Sequence, residues 1–158
     1  MITGNNIEAY IKRDGVYVTK TEGISMLPFI RQGHATVVVV PVKERLKKYD
    51  VALFHRKTGE YVLHRVVKVR KNDYVFCGDN QKTWEYGITD ELIVGVMSEL
   101  YDDGVKINTD GEKYKKAVKK LVKRSARTCR MLRFKHFLLS FTFIRRVWEF
   151  LKHKKQDD

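Results

Sequence analysis

The 158-residue sequence predicts a mainly β fold, a barrel-like β body followed by a basic helical tail. Three observations carry that prediction. Thr36 to Val42 is an almost uninterrupted β-branched run, the length and composition of a buried strand. Short strand-like runs then recur between Gly, Asp and Asn turns, the spacing of a barrel or sandwich. Composition shifts after Asp110-Gly111, where apolar residues take up helical spacing. The expected organisation is therefore a β domain over 1–110 and a helical tail over 111–158.

The first element is a short helix over Asn6–Ile11, capped by Asn5 or Asn6 and stopped near Gly15. Val16–Thr19 reads as a strand that feeds a serine-bearing turn. After the Thr36–Val42 strand, a polar stretch leads into Val51–Phe54, and Thr58-Gly59 marks a hairpin. The strand Glu60–Arg70 follows. Successive side chains of a strand face opposite ways, so His64 and Arg65 cannot share a face. Tyr74–Cys77 ends at Gly78-Asp79-Asn80, and further strands are expected at Leu92–Leu100 and Val105–Ile107. In the tail, Tyr114, Val118, Leu121, Ser125, Cys129 and Leu132 follow one helical face, with lysines and arginines opposite.

Charge is divided as sharply as secondary structure. Residues 1–112 hold 16 Lys and Arg against 16 Asp and Glu, whereas residues 113–158 hold 16 basic residues and only three acids. The net +13 of the chain thus belongs wholly to the tail. Two cysteines, Cys77 and Cys129, make no disulfide framework and suit a reducing compartment. Neither they nor the five histidines match a metal-ligand spacing, and no cofactor is expected. Met1–Gly15 lacks the apolar core of a signal peptide.

Gly23-Ile-Ser25-Met26-Leu-Pro28 holds a serine on a corner that a glycine opens and a proline stiffens. Alone it is an ordinary loop serine. With His64 on a strand and Asp79 in a following turn, it supplies a nucleophile, a base and an acid within one small domain, the minimum for acyl transfer. A serine hydroxyl attacks poorly until a base removes its proton, and histidine, with a reference pKa of about 6.5, accepts one near neutrality.

Gly23-x-Ser25-Met26-x-Pro28, Tyr49-Asp50-Val51, His64-Arg65-Val66-Val67, Gly78-Asp79-Asn80 and Gly95-Val96, in that order, resemble the signal peptidase I and LexA-type superfamily of serine peptidases. The resemblance covers about residues 15 to 100. It implies a twisted half-barrel with a groove in which the substrate lies as an added strand. It further implies Ser25 as nucleophile and His64 as general base, where bacterial signal peptidases carry Lys and their endoplasmic-reticulum-type relatives His. Asp79 matches the acidic turn near the base and is expected to orient it. Glu85 falls close to a further Asp of the His-type enzymes. Gly23 and Met26 are supporting positions; Gly23 matches the form without an oxyanion hydroxyl, leaving that task to backbone N–H groups. Tyr49 departs from the family's usual Gly.

The resulting expectation is a serine endopeptidase acting on an extended peptide or precursor segment. The alternatives are an inactive relative that binds extended peptides by strand addition and a nucleic-acid binder acting through the tail, which the neutral body and the lack of a nucleic-acid motif weaken. The tail itself, residues 113–155, mixes its basic residues with Phe134, Phe137, Phe141, Phe143 and Trp148, a composition suited to an anionic membrane surface. A helix packed on the body with merely solvated charges is the plainer account. The expected location is the cytoplasm, with peripheral attachment at the inner membrane face as its extension.

Overall fold

The structure is a computed structural model that describes the backbone of residues 7–154 and the side chains of residues 7–140 and Arg145. Asn5 and Asn6, expected to cap the first helix, lie outside the described residues. That helix, α1 (Ile7–Asp14), buries Ile11 and ends where the Gly15 N–H donates to the Ile11 carbonyl at 3.0 Å.

Eight strands follow: β1 (Tyr17–Lys20), β2 (Ala35–Val40), β3 (Val51–His55), β4 (Tyr61–Val69), β5 (Tyr74–Cys77), β6 (Glu85–Ile88), β7 (Ile93–Asp102) and β8 (Val105–Lys106). They form one open antiparallel sheet in the order β1-β2-β7-β3-β4-β5-β6, with β8 beside β7. The mainly β expectation therefore holds, and the sheet does not close on itself. β6 has no counterpart in the sequence reading, because Glu85-Tyr-Gly-Ile is too short to show alternation.

The strands follow their side chains. β2 buries Ala35, Val37 and Val39 and leaves the residues between them half-exposed, the period-2 pattern of a strand covered on one face. The β3–β4 turn closes as the Arg56 N–H donates to the Glu60 carbonyl at 2.8 Å, with Gly59 at φ 95°. Residues 61–65 of β4 pair with β3, while pairing with β5 begins only at Arg65 opposite Cys77. Among the described residues no strand pairs with the other edge of Tyr61–Leu63.

Alternation along β4 divides the core. One cluster joins Ile11, Met26 and Ile30 to β2, β3 and Leu100. A second gathers Ala52, Phe54, Val66, Tyr74 and Phe76. A third sets Val67, Val75 and Cys77 against Val118 and Val122 of α2 (Glu112–Lys154). The chain thus divides into two compact units, one ending at Ser125 and one starting at Ala126. The first takes in the opening turns of α2, beyond the boundary at 110/111 suggested by composition, because apolar residues of those turns complete the sheet's third cluster. The second unit is the remainder of α2. Both cysteines are buried thiols.

Candidate active site

Ser25 sits on a loop held from several sides. Its carbonyl accepts the Asn80 N–H at 2.7 Å, and the Asn80 side-chain amide donates to the Ile24 carbonyl at 3.3 Å. Met26, directly after the serine, is buried in the first core cluster, and its carbonyl accepts the Ile30 N–H at 3.0 Å. Gly23 turns the chain at φ 83°, a region that favours glycine. Gly78 meets the loop from the other side: a Cβ there would stand 2.8 Å from the Ser25 carbonyl oxygen. The Gly78-Asp79-Asn80 turn is therefore the mount of the serine loop.

His64, on β4 opposite Ala52, is 2% exposed and packs edge-on to Phe54 with ring centroids 6.2 Å apart. Ser25 and His64 line one cleft of about 240 Å³, together with Thr21, Gly23, Arg56 and Tyr61–Leu63. The nucleophile and base expected from sequence thus face a common space.

The acid at His64 is Glu85. Its Oε1 lies 2.7 Å from His64 Nδ1. Arg56 donates from Nε to Glu85 Oε2 at 2.7 Å and from an Nη to Oε1 at 2.8 Å. Burial pushes the Glu85 carboxyl up, but the hydrogen bonds from His64 and Arg56 outweigh it and bring its pKa down to about 2. The Arg56 guanidinium is raised in turn, first by Glu85 and then by Glu60. An ionised Glu85 only accepts hydrogen bonds, so the proton of a neutral His64 belongs on Nδ1. The lone pair is then on Nε2.

Asp79, expected to orient His64, does not meet it. Both of its oxygens accept from Arg65, at 2.7 Å from Nε and 2.6 Å from an Nη, and the pair is buried. The reason is the strand period: Arg65 faces away from His64, and Asp79 lies on the Arg65 side. Arg65 also donates to the Tyr49 carbonyl and the Tyr114 hydroxyl, and its guanidinium stacks over Phe29 at 5.5 Å. Burial opposes its charge, and the bonds to Asp79 outweigh that and raise its pKa. Asp79 is a structural anchor of the turn that mounts the serine loop.

Two cleft residues were not expected from sequence. Arg56 sits just before the hairpin signal at Thr58-Gly59, and nothing local distinguishes it from a surface arginine. The Thr21 hydroxyl is buried and finds no hydrogen-bond partner. Among the described residues no three His, Cys, Asp or Glu side chains gather as a metal-ligand set. Comparisons of this chain with protein-family models, with curated proteins and with solved structures found no match.

Proposed function

We propose that this chain is a serine endopeptidase in which Ser25 is the nucleophile, His64 the general base and Glu85 the acid that orients it. The observation that carries the reading is the 2.7 Å contact of His64 Nδ1 with an ionised Glu85, on the cleft that Ser25 also lines. That contact leaves Nε2 as the proton acceptor on the imidazole. Ser25 Oγ attacks the scissile carbonyl carbon as its proton passes to Nε2. Glu85 stabilises the imidazolium, which then protonates the leaving amine. Water, deprotonated by the same nitrogen, hydrolyses the acyl-serine ester.

The open edge of Tyr61–Leu63 supports an extended substrate, since a peptide laid along it gains main-chain hydrogen bonds beside the serine. The half-barrel peptidase architecture, and kinship with the signal peptidase and LexA-type enzymes, belong to this proposal. They rest on the motifs around Ser25, His64 and Gly78-Asp79-Asn80 together with the cleft.

Labelling with a fluorophosphonate tests the reading. The intact chain is expected to label and the Ser25→Ala variant to stay unlabelled. His64→Ala should slow labelling at least about 1,000-fold, the scale of losing the base. Equal labelling of Ser25→Ala overturns the assignment. An unlabelled chain that binds extended peptides would instead be a strand-adding binding protein.

A further inference from the structure

We propose that α2 carries, from Arg127 to Leu139, a docking surface for an anionic lipid bilayer, on which the helix lies in the plane of the interface. This rests on the helix surface alone and is independent of the peptidase reading.

The helix changes character along its length. Val118 and Val122 are buried in the sheet's third cluster, whereas every residue from Arg133 to Ser140 is exposed. Large apolar side chains stand among these: Met131 is 65% exposed, Phe134 61% and Leu138 47%. At three- and four-residue spacings they fall on one stripe of the helix. Exposed Arg130 and Lys135 stand at its two sides, and exposed Arg127 one turn before it. An apolar stripe bordered by long cationic side chains suits a surface with hydrocarbon at one depth and phosphate just above it, since the cations reach headgroups while their stems lie along the acyl boundary.

Charge selects the anionic occupant: from residue 113 onward 16 basic residues face three acids, and the preceding chain is neutral. Among the described residues no helix is long and apolar enough to cross a membrane, so the stripe fits in-plane binding. Phosphates of a nucleic acid would satisfy the cations and leave the apolar stripe in water. Phe141, Phe143 and Trp148, part of the same sequence pattern, lie outside the described side chains.

Co-sedimentation of the full chain with vesicles tests the surface. Mixed phosphatidylglycerol and phosphatidylcholine vesicles should pellet the protein at low salt, and pure phosphatidylcholine should not. Added salt should weaken the binding as screening shortens the reach of the cations. The combined change Met131→Ser, Phe134→Ser and Leu138→Ser should lower the partition coefficient about tenfold or more with the circular dichroism retained. The chain carrying Phe134→Trp, Trp84→Phe and Trp148→Phe gives a second readout, quenching of its tryptophan fluorescence by lipids brominated in the acyl chains. Three results overturn the proposal: no pelleting at low salt, pelleting without acyl-chain quenching, or tighter binding to an oligonucleotide than to anionic vesicles at equal salt.

Discussion

His64 and Arg65 are adjacent in the chain and serve opposite faces of β4, and each has its own acid. Glu85 pairs with His64 and Asp79 with the buried arginine. Their substitutions should separate cleanly. Asp79→Asn leaves the Arg65 charge buried without its counter-ion, so it should lower stability by about 3 kcal/mol, read as a fall in Tm. Glu85→Gln should instead lower turnover about 100-fold in a chain that still folds. Its stability effect carries a pH mark. Because the folded state depresses the Glu85 pKa from 4.5 to about 2, its contribution is complete above 4.5 and is lost as pH falls through about 2. The stability gap between the chain and Glu85→Gln should therefore close on acidification across that window. Equal, small effects of both substitutions on turnover would remove Glu85 from the mechanism. Thr21 offers a sharper dissociation. Its hydroxyl is buried on the cleft wall without a partner, which costs stability on the order of 1–3 kcal/mol. Thr21 lines the cleft with Ser25, and Gly23 carries no hydroxyl, so the proposed peptidase reading makes Thr21 the side chain to test as a donor to an oxyanion. Thr21→Val should hold or raise Tm while lowering turnover about tenfold or more; unchanged turnover would make the hydroxyl a plain packing defect.

At the scale of elements, α2 is two things in one helix. Its opening turns are part of the body: Tyr114 meets Phe29 edge-on, and the Ser125 hydroxyl accepts from the Trp84 indole at 3.0 Å. A chain ending at Ser125 should keep the Tm of the whole, while one ending at Gly111 should lose several kcal/mol. Each Val or Leu returned to water costs about 1.5–3 kcal/mol, and thermal unfolding of the two truncations measures the difference. Equal Tm values would detach the whole helix from the body. The loop before β3 shows a different tension. Tyr49 stands where the resembled family has Gly, and its φ of 85° lies in the left-handed region. That conformation costs a non-glycine residue roughly 1–2 kcal/mol. Hydrogen bonds from its N–H to the Val66 carbonyl and to its own carbonyl from Arg65 hold the backbone there.

Over the whole molecule, the excess charge belongs to the C-terminal stretch of chain from residue 113. Residues 1–112 balance their charges and pair the most deeply buried of them, Arg65 with Asp79. Excess positive charge begins at residue 113, in the turns of α2 that cover the sheet, and continues along the rest of the helix. At the cleft, the charge of Arg56 is matched by direct contacts with Glu85 and Glu60.

Period and composition by themselves determined most strands, the hairpin at Thr58-Gly59, the long basic helix and its charge. The motifs around Ser25 and His64 marked both as candidates, because a serine on a glycine-opened corner and a histidine on a strand are local features, and both line one cleft. Even the separation of His64 from Arg65 was legible in the alternation of β4, and followed one step further it would have set Asp79 apart from His64. What only the tertiary structure decided is which carboxylate meets His64 and which meets Arg65. Glu85 reaches His64 through β6, a strand too short to announce itself, which is brought to the site by pairing with β5. Arg56 and Thr21 enter the cleft the same way, through contacts between residues distant in sequence. The end of the body inside α2 was hidden for a related reason: helical periodicity shows that a face is apolar, and only the packed sheet determines how far along the helix that face is covered.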